Sequence, residues 1–189
     1  MKRKGFTLLE ISISIVLILL IIHSAFSLMS TTFLMKQNII AEKELIEVGE
    51  FLQNKITTEF SRAESIDEVL GKDGNVYSAV DKSPIDARAV KLKRSKNIPL
   101  ESSYLEELIY LKDFQTDARS SLWIFKNARE SLQLNIKNYS AYGGYEIGTY
   151  VESMKISLIE KNIYQIELGL RYLDTDIVKT KHFLVKLQD

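Results

Sequence analysis

Glu10 stands at the entrance of an otherwise uncharged apolar run, in the opening stretch MKRKGFTLLEISISIVLILLII. A carboxylate inside a membrane is expensive unless something neutralises it, so the segment invites insertion and Glu10 resists it. Few other residues are arranged to do chemistry. His23 lies within the apolar run and His182 alternates outward near the C-terminus; they share no local ligand spacing and read as structural or surface residues rather than a metal pair. Asp174 and Asp176 have the right type for calcium, but Asp-Thr-Asp between two extended runs is more commonly a turn. The glycines of AYGGYEIGTY precede no helix, which a phosphate cradle requires. Tyr139, Tyr142, Tyr145 and Tyr150, in and around that stretch, are expected to pack their loop onto a sheet, the alternative being an exposed contact surface. No catalytic residue, metal site or cofactor is expected, and the chain does not read as an enzyme.

The elements that hold Glu10 begin with the apolar run itself. From Leu8 to Met29 it is long enough to cross a hydrocarbon core, for which about 20 apolar residues suffice. A secretory signal peptide shares the basic start, Lys2, Arg3 and Lys4, and SAFSLMS offers it small residues, but a signal peptide would not carry Glu10 so early. A plain membrane anchor explains the apolar run and the positive flank, which places the first residues in the cytoplasm, and leaves Glu10 unexplained. The 189 residues leave room for one membrane segment and one modest soluble domain. With 25 basic and 25 acidic residues the chain has no net charge and no whole-chain basic surface, so nucleic-acid binding is unsupported. Cysteine is absent, so the fold rests on packing alone.

The string KGFTLLEISISIVLILL resembles the class III signal of type IV pilins and their pseudopilin relatives. In that family a short basic leader ends in Gly, a prepilin peptidase cuts after it, the new N-terminal Phe is N-methylated, and the fifth mature residue is Glu. The resemblance implies cleavage between Gly5 and Phe6, N-methylation of Phe6, and an assembly role for Glu10. Cleavage would create an ammonium four residues before Glu10, a spacing that neighbouring positions on a helix allow. Opposite charges attract strongly in low dielectric, although desolvation takes back much of the gain. Between chains, the family's mechanism pairs Glu of an incoming subunit with the Phe amine of its neighbour, fixing the register of a helical filament.

Beyond the membrane run the helical signal continues. Ala41, Leu45, Val48, Leu52, Ile56, Phe60 and Ala63 recur at three- and four-residue spacing while Glu42, Lys43, Glu47, Glu50, Lys55 and Glu59 occupy other faces, as in an amphipathic helix. No proline precedes Pro84, so one helix is expected from Phe6 to about Arg62, with Gly49 its weak point; at 1.5 Å per residue it would extend some 85 Å. The apolar half lacks the helix-bending proline often found in major pilins of the family.

The remainder reads as a sheet. GKDGNVYSAVDKSPID is expected to be a connecting loop with at most a short strand. The locally basic ARAVKLKRSKNIP, with Arg88, Lys91, Lys93, Arg94 and Lys96, reads as a solvated edge strand protected by lysine rather than a DNA patch, since no aromatic residues are interleaved. Period-two alternation predicts half-buried strands in MKISLIE, YQIELGLRY and HFLVKLQ, joined at Lys161-Asn162 and at Asp174 to Asp176; LIYLKDF, SLWIF and SLQLNI look like further strands. The expected fold class is therefore α+β: a long N-terminal helix, membrane half plus amphipathic half, packed on a C-terminal antiparallel sheet of four to six strands, pilin-like. The expected segments are a leader at 1–5, a transmembrane or filament-core helix at 6–29, an amphipathic helix at 30–65 and a β-rich head at 66–189.

This order of elements is similar to the W-type minor pilins and the J-type minor pseudopilins of type II secretion. It implies a structural subunit of a filament serving secretion, adhesion, motility or DNA uptake. The implied partners are other pilins through the N-terminal helix, prepilin peptidase and an inner-membrane assembly platform. The implied location is the cell membrane, single-pass with the N-terminus cytoplasmic, then a filament on its outer side. The alternative is a single-pass membrane-anchored sensor or adhesin.

Overall fold

The computed structural model describes residues 7–94, 106–113, 120–126, 144–173 and 175–188. The chain divides into two units, Met1–Ala41 and Glu42–Asp189, and one helix, α1 (Leu8–Ser61), runs through both. Gly49 does not interrupt it. That glycine is buried, and a Cβ there would lie 3.0 Å from Leu170 Cδ1, so the missing side chain serves a close approach of helix to sheet. The first unit's described residues are Thr7 and α1 up to Ala41. In the second unit Leu45, Leu52, Ile56 and Phe60 are fully buried along one face, as the three- and four-residue spacing requires.

Nine strands follow: β1 (Ala63–Gly71), β2 (Val76–Tyr77), β3 (Ile85–Arg94), β4 (Glu106–Asp113), β5 (Ser120–Lys126), β6 (Tyr145–Thr149), β7 (Val151–Glu160), β8 (Ile163–Arg171) and β9 (Val178–Lys186). Every pairing is antiparallel, in the order β6-β5-β4-β3-β7-β8-β9, with β1 joined to β3 and β2 to β1. Only Tyr150 separates β6 from β7 in the chain, yet the two lie at opposite ends of β5-β4-β3. The sheet therefore curls, and Tyr150 makes the corner with φ of 67°.

The concave face receives the helix. Leu45, Leu52, Ile56 and Phe60 pack with Val69, Val90, Leu92, Ile109, Leu122, Ile124, Met154, Ile166, Leu168 and Val185 in one cluster. Alternate residues of the first strands, Leu70, Ala89, Leu108, Tyr110 and Phe125, form a second cluster on the opposite face. Burial on both faces explains why LIYL and SLWIF read as nearly continuous apolar runs. The outer face of β7, β8 and β9 instead carries cross-strand ion pairs, Lys155 with Glu167 at 2.8 Å and Arg171 with Glu152 at 2.9 Å.

The α+β architecture is as the sequence pattern predicts, including the tight Lys161-Asn162 connection, where Asn162 has φ of 62°, and the short β2 inside the expected loop. Three readings need correction. The sheet has nine strands among the described residues, not four to six. Ala63, expected to continue the apolar face of the helix, opens β1 instead. ARAVKLKR is not an edge strand: β3 pairs with both β1 and β4 along Ala89–Lys93, and Ile85 and Asp86, just before that stretch, pair with β7. SLQLNI, Tyr139, Tyr142, Asp174 and Lys96 lie outside the described residues.

Candidate functional site

Thr7 and Glu10 close the first turn of α1 on each other. The Thr7 N–H donates to Glu10 Oε2 at 2.8 Å, the Thr7 hydroxyl donates to the same oxygen at 3.0 Å, and the Glu10 N–H donates back to Thr7 Oγ1 at 3.4 Å. This is a capping box, in which a threonine before the first helical residue and a glutamate three positions later satisfy donors that the helix cannot. The spacing T-x-x-E was legible in the sequence, and a reading centred on charge alone passes over it. Glu10 Oε1 takes part in none of these bonds, so one oxygen of this exposed carboxylate holds the helix start and the other is not used by the cap. Gly5, Phe6, Lys2, Arg3 and Lys4 lie outside the described residues.

The rest of the first unit suits an apolar surrounding. α1 contains an 18-residue window with mean hydropathy 2.5, long and apolar enough to cross a membrane. Its hydroxyl residues are quenched locally: Ser12, Ser14, Ser24, Thr31 and Thr32 each donate to the carbonyl four residues earlier, at 2.8 to 2.9 Å. Leu17, Ile18, Leu19, Leu20 and Phe26 are exposed along it.

In the second unit the basic stretch is turned to internal use. Arg94 Nη2 donates to Glu59 Oε2 at 2.7 Å and also to Glu107 Oε2, while Arg94 Nε reaches Glu107 Oε2 at 2.9 Å. Lys55 Nζ lies 3.2 Å from Glu59 Oε1 and 5.6 Å from the centre of the Tyr145 ring. Glu59 and Glu107 are 2% and 1% exposed, so charges that the sequence places on a solvated surface are buried in a bridge between α1, β3 and β4. Burial pushes the Glu107 carboxyl above the usual glutamate range, and the neighbouring negative charge of Glu59 adds to it against the pull of Arg94. Lys91 is likewise buried and pairs with Asp67 at 2.9 Å.

His182 is exposed and lies 3.6 Å from Glu167, and His23 belongs to the other unit. Among the described residues no three His, Asp or Glu side chains gather as metal ligands would. Of the loop tyrosines, Tyr145 begins β6 and is partly exposed, whereas Tyr150 stacks on Tyr172 with ring centres 5.2 Å apart and donates to Glu44 Oε1 at 2.9 Å.

Residues 1–26 match the family described as the prokaryotic N-terminal methylation motif. No curated protein and no solved structure matches the chain. The chain therefore carries the prepilin signature of type IV pilins and pseudopilins across the start of a membrane-capable helix, and that signature points to a structural subunit processed by prepilin peptidase.

Proposed function

We propose that this chain, bearing the prepilin signature, is a minor pilin or pseudopilin that is cut between Gly5 and Phe6, methylated on Phe6, and assembled into a type IV pilus or related filament. The match of residues 1–26 to the methylation motif carries the proposal. In this reading Lys2, Arg3 and Lys4 hold the leader at the cytoplasmic face, residues 6–29 are the filament-core helix, the rest of α1 to Ser61 couples it to the head, and the head's sheet begins at Ala63 rather than after residue 65. The partners are other pilins, the peptidase and an inner-membrane assembly platform. The capping box supports the role of Glu10, because the oxygen not used by Thr7 is the one an ammonium can take. It also survives cleavage, since both of its residues lie after the scissile bond.

The test is mass analysis of membrane-extracted protein. A mature chain beginning at methylated Phe6, with the leader retained in Gly5→Asp, is the expected result. An N-terminus near Ser30 would identify a conventional signal peptide, and an intact Met1 in the presence of a prepilin peptidase would identify a plain anchor. Glu10→Gln separates the two duties of Glu10, because glutamine also completes a capping box but carries no charge. That variant should be processed normally and fail to co-purify with partner pilins.

A further inference from the structure

Two glutamates are buried against one buried guanidinium. Glu59 and Glu107 each place Oε2 on Arg94 Nη2, and among the described residues no group donates to Glu107 Oε1. Among the described residues the other cation in contact is Lys55, which pairs with Glu59 and whose side chain is one-third exposed. Two full negative charges on this arrangement would leave a desolvated carboxylate oxygen unbonded, which is among the costlier things a protein interior can hold. A proton on Oε1 removes that charge and leaves Oε2 as an acceptor for Arg94.

We propose that Glu107 keeps a proton at neutral pH and that Glu59, Arg94 and protonated Glu107 form a proton-dependent latch fastening the last turn of α1 to β3 and β4. Among the described residues the groups facing it are Glu59 and Lys55 from α1, Arg94 from β3 and, beyond Lys55, Tyr145 from β6. In the ladder Glu107 lies opposite Leu92 of β3 and Lys126 of β5. The last turn of α1 carries no basic residue of its own, so the acidic Glu59 at the negative end of the helix takes its counter-charge from Lys55 one turn earlier and, on its buried side, from Arg94. Loss of the Glu107 proton sets two anions on that cation and weakens its hold on the helix end. The sign follows from the raised carboxyl: the folded chain binds this proton more tightly than the unfolded chain, so the contribution is complete below the usual glutamate range and is lost as pH rises through the folded value.

Infrared spectroscopy of the full chain in detergent micelles tests it. At neutral pH the wild type should show a protonated-carboxyl band that is absent from Glu107→Gln and disappears on alkaline titration. In Glu59→Gln the same band should titrate at lower pH, because the neighbouring anion is gone. The wild-type urea midpoint should fall relative to that of Glu107→Gln as pH is raised. A wild type without that band at neutral pH, or parallel midpoints of wild type and Glu107→Gln across the range, would overturn the latch. If Glu107→Gln does not fold, the wild-type and Glu59→Gln titrations decide the question.

Discussion

Leu52 of α1 rests on the bare backbone of Gly148 in β6: a Cβ at Gly148 would lie 2.7 Å from Leu52 Cδ2 and 3.0 Å from its Cγ. Leu52 is fully buried and has nowhere to retreat. Gly148→Ala should therefore destabilise the second unit by about 1–3 kcal/mol through overpacking, and Leu52→Ala by about 2–5 kcal/mol through the cavity it leaves. The double variant should cost clearly less than the sum, since the added methyl enters the vacated space. Urea denaturation of the detergent-solubilised chain measures all three, and strict additivity would show that the two residues do not share that space.

Thr7→Ala removes the cap but leaves the Glu10 charge. The cost should be about 0.5–2 kcal/mol, confined to the helix start and read as faster amide exchange in the first turn. Glu10→Gln should leave that exchange nearly unchanged. If both variants fray the helix equally, the carboxylate charge rather than the box geometry holds the first turn.

Arg94→Met strands two buried glutamates. Removing one partner of a buried ionic cluster typically costs about 3–5 kcal/mol, whereas replacing all partners by apolar residues is often neutral. Arg94→Met should be severely destabilised, and adding Glu59→Gln and Glu107→Gln should restore much of the loss. Arg94→Lys should rescue poorly, because an ammonium lacks the fork that reaches both carboxylates. Full stability of the single variant in urea would show that the bridge contributes nothing.

On the outer face Lys155 holds Glu167 by a hydrogen bond, which lowers the Glu167 carboxyl below its usual range, and His182 adds a weaker pull when charged. The folded chain then releases this proton more readily than the unfolded chain, so the contribution is present above the usual glutamate range and lost as pH falls through the folded value. Thermal midpoints of wild type and Lys155→Met should converge under acid conditions and separate in the wild type's favour near neutrality. The gap should be small, because the pair is solvent-exposed and screened.

The N-terminal half was legible in the sequence because its physics is local. Membrane length and the N-terminal methylation motif depend on an uninterrupted run or on residues a few positions apart, and the T-x-x-E cap, which a reading centred on charge passes over, is just as local. The strands β7, β8 and β9 were legible for a similar reason: their polar outer face preserves the period-two alternation. β3 was not. Its alternating lysines and arginine look like a solvated edge, and nothing nearby reveals that Glu59, 35 positions earlier, and Glu107, 13 positions later, meet Arg94 inside the molecule. β6 was hidden as well, since Gly148 weakens the strand pattern and earns its place only from Leu52 pressing on it. Tertiary structure decided these elements, because a buried charge or a bare glycine in a strand is tolerated only where a distant partner neutralises the one or fills the space left by the other.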